Sequence, residues 1–396
     1  MVGNQLANEP SPFKRTGRWT DKPRSYPALS ADIRSFAALG RIVKSAGYSE
    51  AAIREARGAQ IMQSHNSADS PRHPKRLAVP TPLSTLIKLF ALRAVVREEE
   101  ARAAFFPLPV EEVEEMGLVE SRLEGIQSCV GLSEFDGLLL AHDPHHENVN
   151  DFGSEYVPGI NPTSVTLAGV TVRQPVHRAL DLGTGCGLQA LLAARHSERV
   201  IAVDANPRAL NYAAFNAGLN GLTNIECRRG DLFGPVTDCR FDLIACNLPC
   251  VISPESRRAF HHSGLAGDTI SEGIVRATPA YLSKGGFASI LCNWTHGRDE
   301  HWSSPVQNWV EGAGCDAWLL RHDTHDPLTY AALWIRNRNT IEYERTLQRW
   351  VGYYQRLGIE AISAGVLTLR RQTPRLNWFR ADELPVGSGT LQPWKN

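Results

Sequence analysis

A glycine-rich turn near the middle of the chain has the residue types to hold a small ligand by its backbone. The string DLGTGCG covers residues 181–187, between an apolar run typical of a strand and a stretch with helical apolar spacing. Glycines in such a turn allow a tight bend and a close backbone approach to a ligand at the start of the helix. The leading acid favours a ligand with a cationic amino-acid group, which a dinucleotide lacks. The candidate ligand-binding residues of this turn are Asp181, Gly183, Thr184, Gly185 and Gly187.

Two further acids lie at the ends of the next two predicted strands. Asp204 ends the run RVIAVDA, with Ala205 directly after it, and an acid in this position is suited to bind both hydroxyls of a ribose. Asp231 follows the third strand, where it can accept a hydrogen bond from an adenine amino group while Leu232 and Phe233 pack against the ring. A single acid of this kind is compatible with an ordinary strand cap. Acids at the carboxyl ends of three consecutive strands are unlikely to be caps by coincidence, and they predict one site for a ligand with an adenosine part and a cationic amino-acid part.

The order of the predicted elements indicates the fold class. From residue 176 onward, short β-rich runs alternate with helical stretches, which predicts an α/β fold with a Rossmann-like, doubly wound, mainly parallel sheet. The preceding residues have helical apolar spacing, including one continuous helix over residues 84–105. We therefore expect a mostly helical N-terminal domain ahead of the sheet.

The bulk composition limits the partners and the compartment. Lys+Arg and Asp+Glu both number 42, so the chain as a whole has no attraction for a polyanion, and nucleic acid is an unlikely partner. No apolar run is long enough to span a bilayer, which predicts no membrane association. The eight cysteines are too few for a disulfide scaffold and lack metal-site spacing, so we expect reduced thiols, no metal and a cytoplasmic location. The oligomeric state stays open.

Together these motifs resemble those of class I S-adenosylmethionine (SAM)-dependent methyltransferases, over roughly residues 155–295. The resemblance implies SAM as the cofactor. It is closest to the branch with an N-P-P-[YF] motif, which contains protein-glutamine and rRNA or tRNA N-methyltransferases. The segment YVPGINPTSVTLAG resembles the part that closes over SAM in this branch, which implies that Thr163 and Ser164 contact the methionine portion. Tyr156 lies where the substrates of the family approach.

The acceptor motif departs from the pattern of the branch, because this chain has Asn247-Leu248-Pro249-Cys250. In the family, the Asn side chain and the next carbonyl hold the target amino group, the aromatic residue stacks on its plane, and proline fixes the loop. The resemblance therefore implies that Asn247, Pro249 and Tyr156 are the catalytic residues, with Asn247 also close to the cofactor. The aromatic platform and one proline are missing, which puts a planar acceptor in doubt.

Pattern and resemblance divide the chain into five expected segments. They are a flexible tail at 1–28, a helical lid or accessory domain (with a winged-helix-like module as one alternative) at 29–125, a β-hairpin and SAM-covering linker at 126–165, the class I SAM-binding catalytic domain at 166–375 and a C-terminal tail at 376–396.

The altered acceptor motif leads to three hypotheses for function. The first is SAM-dependent N-methylation of a small-molecule amine or amide of secondary metabolism, by SN2 transfer. The second is cyclisation of SAM itself, in which its amino nitrogen attacks the γ-carbon to give azetidine-2-carboxylate and methylthioadenosine. The third is a SAM-binding regulatory protein without turnover. A small molecule is the expected partner in the first hypothesis.

Overall fold

The computed structural model describes residues 33–61, 77, 79–144, 155–255, 265–297, 299–335, 340–372 and 376–384. The tail expected at 1–28 lies outside these residues, as do residues 385–396 of the expected C-terminal tail. Within the described part, no helix is both long and apolar enough to cross a membrane.

The N-terminal part is mostly helical, as expected. Its helices are α1 (Ile33–Ser45), α2 (Glu50–Ile61), α3 (Pro82–Leu86), which continues into a π-helical turn (Ile87–Ala91), α4 (Glu98–Phe105) and α5 (Val110–Glu115). Two antiparallel hairpins follow, formed by β1 (Val119–Arg122) with β2 (Gly125–Ser128) and by β3 (Gly131–Phe135) with β4 (Leu138–His142). The expected segment boundary after residue 125 falls within β2, so the first hairpin spans it.

The prediction of one continuous helix over 84–105 is wrong. The helical path ends at Ala91, and Arg93 has a left-handed φ of 55°. Val96 then forms an antiparallel bridge with Ile126 of β2. Helical spacing of apolar residues did not reveal this break, because Val96 is buried by pairing with a strand rather than by lying on a helix face.

The C-terminal part contains an eight-stranded sheet flanked by helices. Its strands are β5 (Val176–Leu182), β6 (Ser197–Asp204), β7 (Ile225–Arg229), β8 (Phe241–Cys246), β9 (Leu282–His296), β10 (Cys315–His325), β11 (Ala361–Arg371) and β12 (Phe379–Glu383). The helices are α6 (Pro162–Val170), α7 (Leu188–Ala194), α8 (Pro207–Leu219), α9 (Thr269–Ala277), α10 (Ser304–Val310), α11 (Pro327–Trp334) and α12 (Thr340–Arg356).

The strand order is β12-β10-β11-β9-β8-β5-β6-β7. Strands β5 to β9 are parallel to their neighbours within that group, whereas β11 runs antiparallel to both β9 and β10. This mainly parallel, doubly wound sheet confirms the predicted fold class, which is Rossmann-like and of the class I methyltransferase type. The sheet also includes β12, which lies within the expected C-terminal tail.

The helical N-terminal part and the sheet domain share one hydrophobic core across α8. Phe36 of α1 packs edge-on against Phe215 of α8, with ring centroids 4.6 Å apart. Asp143, directly after β4, is 1% exposed and forms an ion pair with Arg208 of α8. The Asp143 carboxylate also accepts a hydrogen bond from the Tyr212 hydroxyl at 2.8 Å. Because a buried ion pair is costly to separate, these contacts hold the N-terminal part against the sheet domain.

Candidate functional site

The site lies where the direction of strand order changes in the sheet. From β5 the chain continues to β6 and β7 on one side, whereas β8 and β9 lie on the other side. The carboxyl ends of β5 and β8 are adjacent, since Leu182 is paired with Cys246. Ligands of open α/β sheets bind in the crevice at such a switch point. The glycine turn follows β5 and Asn247 follows β8, so the sheet topology brings the two predicted motifs together.

The glycine turn has the backbone conformation that its sequence requires. Gly183, Gly185 and Gly187 have φ values of 76°, 54° and 92°, all in the left-handed region that other residues rarely adopt. A Cβ atom on Gly187 would lie 3.1 Å from the Cβ of Ala213 in α8. A Cβ atom on Gly185 would meet no described atom within 4 Å. The turn therefore packs closely on one side and leaves room beside Gly185, which fits a cofactor held by backbone groups.

Asp181 organises the turn from inside. It is 1% exposed, and its Oδ2 accepts hydrogen bonds from the Thr184 hydroxyl at 2.6 Å and the Ala190 N–H at 2.9 Å. Burial raises the pKa of the Asp181 carboxyl to about 7, against the lowering effect of these two hydrogen bonds. Its predicted attraction for the cationic amino group of SAM stays a prediction.

Asp204 is partly exposed at the end of β6 and faces the same turn. Its Oδ2 accepts a hydrogen bond from the Gly185 N–H at 3.0 Å, and its Oδ1 accepts one from the Asn206 N–H at 2.9 Å. Ala205 between them is also partly exposed. The carboxylate is thus fixed beside the open space at Gly185, in a position that suits the predicted ribose contact. That contact itself is a prediction.

The residues expected around adenine fall into two environments. Asp231 is exposed, whereas Phe233 is 6% exposed and stacks on Tyr281 with ring centroids 4.1 Å apart. Leu232 has a left-handed φ of 46° and packs partly against the same core. The Phe233 ring thus contributes to the core beneath the loop, and the carboxylate of Asp231 is the more accessible of the groups expected to contact adenine.

Thr163 and Ser164 lie in the first turn of α6, where their hydroxyls serve the helix cap. Thr163 donates to Asn161 Oδ1 at 2.6 Å, and Ser164 Oγ accepts from the Asn161 N–H at 3.0 Å. Gln189 was not among the residues predicted from the sequence. Its Nε2 donates to the Ser164 carbonyl at 2.9 Å and so joins α6 to the glycine turn through α7. Its side-chain oxygen is buried without a hydrogen-bond partner in the described part. The predicted contact of Thr163 and Ser164 with the methionine portion stays a prediction.

Tyr156 is 8% exposed and lies beside the start of α8. The carbonyl of its neighbour Glu155 accepts a hydrogen bond from Asn206 Nδ2 at 2.9 Å, and the N–H of Val157 donates to Asp143 at 2.8 Å. These bonds place the segment close to Asp204. A catalytic role for Tyr156 stays a prediction.

The acceptor motif lies directly on the glycine turn. A Cβ atom on Gly183 would be 2.6 Å from Leu248 Cδ2 and 3.5 Å from the Asn247 carbonyl oxygen. Asn247 and Pro249 are partly exposed, and the Asn247 side chain has no hydrogen-bond partner among the described residues. Burial raises the pKa of the Cys250 thiol to about 12, which keeps this group neutral. The arrangement offers an amide and a carbonyl oxygen beside the predicted cofactor position.

Comparison with known proteins agrees with this geometry. Residues 160–308 match the profile of the methyltransferase small domain, and residues 45–128 match a domain of unknown function, DUF7059. The chain is similar to the ribosomal protein uL3 glutamine methyltransferase of Bradyrhizobium diazoefficiens, with 37% identity over 33% of this chain and 46% of the relative. It is also similar to the release factor glutamine methyltransferase of Xylella fastidiosa, with 34% identity over 30% of this chain and 48% of the relative. The chain thus spans about half the length of these curated relatives.

A solved SAM-dependent methyltransferase from Thiobacillus denitrificans, in complex with S-adenosyl-L-homocysteine, has 16% identity and a TM-score of 0.34, over 58% of this chain and 100% of that one. The sheet, the glycine turn and the profile match define a class I methyltransferase domain. The chain carries a SAM-dependent methyltransferase domain of this class, and SAM is its cofactor.

The comparisons correct the expected partners. The matched relatives are named for glutamine methylation of a ribosomal protein and of release factors. The expectation of a small-molecule partner, with nucleic acid unlikely, is therefore wrong. It relied on the net charge of the whole chain and on the altered acceptor motif, and neither describes the surface that surrounds the site. The matches also give no support to azetidine-2-carboxylate formation or to a role in secondary metabolism.

Proposed function

We propose that this protein transfers the methyl group of SAM to the side-chain amide nitrogen of a glutamine in a protein. The observation that carries the proposal is the position of Asn247. Asn247 follows β8 at the switch point, is partly exposed, and lies beside the glycine turn that carries predicted cofactor groups. The names of the matched relatives support glutamine as the acceptor.

The chain can assist this reaction mainly by positioning. When bound, SAM supplies an electrophilic methyl carbon. The Asn247 side-chain oxygen and a neighbouring backbone carbonyl can each accept a hydrogen bond from the two N–H groups of the target amide. These bonds fix the direction of the nitrogen lone pair toward the methyl carbon, which is the main requirement of an in-line displacement. As the new C–N bond forms, the C–S bond breaks with its electron pair on sulfur, and the nitrogen loses a proton to solvent.

The missing aromatic residue changes how the acceptor is held. Cys250 offers a neutral thiol in place of a ring face, so the plane of the target amide lacks a stacking partner at this position. Leu248 occupies the space above Gly183 instead. We infer that recognition of the acceptor depends more on the residues around its glutamine, which a protein substrate supplies and a free amino acid does not.

The experiment is an incubation of the pure 396-residue chain with SAM and candidate acceptors, namely a bacterial release factor and a ribosomal protein uL3. Mass spectrometry of the digested acceptors would detect one added methyl group on a glutamine, together with S-adenosylhomocysteine. The Asn247→Ala variant tests the role of this side chain. It should bind SAM with unchanged affinity and lose methyl transfer. Full activity in that variant would contradict the role of Asn247.

A parallel incubation without acceptor separates the other hypotheses. Consumption of SAM above the no-enzyme background, with formation of both methylthioadenosine and azetidine-2-carboxylate, would overturn the proposal in favour of cyclisation. Tight SAM binding without turnover of any protein acceptor would favour a regulatory protein.

A further inference from the structure

A pair of helices is inserted between two antiparallel neighbours of the sheet. Helices α11 and α12 connect β10 to β11, which are paired along their length. A direct connection of such strands needs only a short turn. The inserted pair has its own apolar core, and this core includes Val251 and Ile252 from the segment that follows the acceptor motif.

Two tyrosines of the pair hold both backbone groups of Ile252. The Tyr330 hydroxyl of α11 accepts a hydrogen bond from the Ile252 N–H at 3.2 Å, and the Tyr354 hydroxyl of α12 donates one to the Ile252 carbonyl at 2.8 Å. All three residues are at most 3% exposed. The buried peptide groups of Ile252, which lies outside the helices and strands, thus obtain from two side chains the partners that a strand would otherwise supply.

Tyr330 also connects the segment around Ile252 to the end of β9. Tyr330 also accepts a hydrogen bond from Asn293 Nδ2 at 2.8 Å, and Asn293 is itself buried. Burial raises the pKa of the Tyr330 hydroxyl well above its usual range, against the lowering effect of the hydrogen bonds from Ile252 and Asn293, so it remains a neutral phenol. The position of this hydroxyl is therefore fixed by hydrogen bonds from β9 and from the segment that follows the acceptor motif.

Helix α12 makes further contacts on either side. Arg349 forms an ion pair with Glu255, and Trp350 Nε1 donates to the same carboxylate at 3.2 Å. The Tyr353 hydroxyl accepts a hydrogen bond from the Gly267 N–H at 2.8 Å. The pair thus contacts the described chain both before residue 256 and after residue 264.

We propose that α11 and α12 form a brace for the acceptor segment, with Tyr330 and Tyr354 as positioning residues for Asn247. The segment 247–252 is held at its start by the contact of Leu248 with Gly183 and at its end by the two tyrosines at Ile252. Leu248 does not have the fixed φ of a proline. Anchors at both ends restrict the same backbone by tertiary contacts, and they keep the Asn247 amide within the narrow range that an in-line transfer requires. The expected effect on methyl transfer rests on the proposed function, whereas the expected effect on the backbone of residues 247–252 does not.

The test compares three tyrosine-to-phenylalanine variants in the full chain. Tyr330→Phe and Tyr354→Phe each remove one hydroxyl that holds Ile252. Tyr343→Phe is the matched control, since its ring packs against the same core while its hydroxyl has no hydrogen-bond partner among the described residues. Hydrogen exchange of the peptide covering 247–255, SAM affinity and methyl transfer are measured for each variant under conditions where it is fully folded.

We expect faster exchange in 247–255 and a kcat reduced about 10- to 100-fold in Tyr330→Phe and Tyr354→Phe, with SAM affinity changed less than about twofold. The control should match the wild type in all three measurements. Unchanged exchange in both hydroxyl variants would overturn the brace, whether or not an acceptor has been found. Faster exchange with undiminished kcat would overturn the positioning role.

Failure of the proposed function itself would appear differently, as absence of methyl transfer in the wild type. In that case hydrogen exchange in residues 247–255 alone tests whether the two helices hold the segment. If Tyr330→Phe does not fold, the same measurements on Tyr354→Phe provide the test.

Discussion

The Asn216 side chain pairs with Ala141 as a neighbouring strand would. Its Oδ1 accepts a hydrogen bond from the Ala141 N–H at 2.8 Å, and its Nδ2 donates one to the Ala141 carbonyl at 2.9 Å. One turn later Asn220 makes the same two bonds to Leu139, at 3.0 and 2.7 Å. Asn216 Nδ2 also donates to the Cys186 carbonyl at 2.8 Å. Helix α8 thus satisfies the free edge of β4 and connects the N-terminal part directly to the glycine turn.

Replacing Asn216 by Ala should destabilise the protein more than the same change at Asn220. Asn216 is 0% exposed, so its loss leaves buried backbone groups of Ala141 and Cys186 without partners, at a cost of about 2–4 kcal/mol in the free energy of unfolding. Asn220 is partly exposed, and water can replace its amide. Urea unfolding of both variants measures the difference. Equal losses of free energy of unfolding in the two variants would contradict the idea that the greater burial of Asn216 makes its hydrogen bonds more important.

Two helical glycines should respond in opposite directions to alanine. A Cβ atom on Gly40 of α1 would lie 1.9 Å from the Leu219 carbonyl oxygen of α8, which is backbone and cannot rotate away. Gly40→Ala should therefore force α1 and α8 apart and cost about 2 kcal/mol or more in the free energy of unfolding. A Cβ atom on Gly352 of α12 would meet only the flexible end of Arg356, at 3.5 Å.

Gly352→Ala serves as the control and should stabilise the protein by about 0.5–1 kcal/mol, because alanine favours the helical backbone. Thermal unfolding of the two variants should show midpoints on opposite sides of the wild type. A raised midpoint for Gly40→Ala would mean that the close packing of α1 on α8 does not persist in solution.

The sequence predicted the central strands, and the motifs that follow β5 and β8, better than it predicted the contacts between distant segments. The apolar runs that end in Asp181 and Asp204 are local patterns, and the parallel sheet brings their ends together without further information. The amide of Asn216 and the hydroxyl of Tyr330 bind backbone groups roughly eighty residues away. Such bonds depend on the packed fold and have no local spacing, so a single sequence could not indicate them. Phe233 illustrates the same limit, since nothing in its neighbours shows that Tyr281 stacks on it.

Replacing Asp204 by Ala should weaken SAM binding while the fold is retained. The carboxylate is fixed beside the open side of Gly185 by two backbone N–H groups, and charge-assisted hydrogen bonds to a ligand hydroxyl contribute about 1.5–3 kcal/mol. We therefore expect the dissociation constant for SAM to rise about 10- to 100-fold, measured by calorimetry. Asp204→Asn keeps one acceptor oxygen and should lose less SAM affinity than Asp204→Ala. Unchanged affinity in Asp204→Ala, with a normal circular dichroism spectrum, would exclude the predicted ribose contact.

Asp181 should couple SAM binding to the release of a proton near neutral pH. Burial raises the pKa of its carboxyl to about 7 in the folded protein, so the folded state keeps a proton that the unfolded chain releases near pH 4. The contribution of this group to the free energy of unfolding therefore falls as the pH rises from about 4 to about 7. A cationic group placed nearby favours the ionised carboxylate and lowers this pKa. If the SAM amino group lies near Asp181, SAM affinity should increase as the pH rises toward about 7 and level off above it, with the proton that Asp181 loses on binding passing to the buffer.

Calorimetry in two buffers of different ionisation enthalpy measures the number of protons released. Asp181→Asn is the control, since it keeps the shape and the acceptor oxygen for Thr184 and Ala190 but cannot ionise. In this variant the part of the proton release that belongs to Asp181 should disappear, and SAM affinity should depend less on pH. The same proton release in both proteins would assign it to SAM itself or to another group, and Asp181 would then keep only its role in organising the turn.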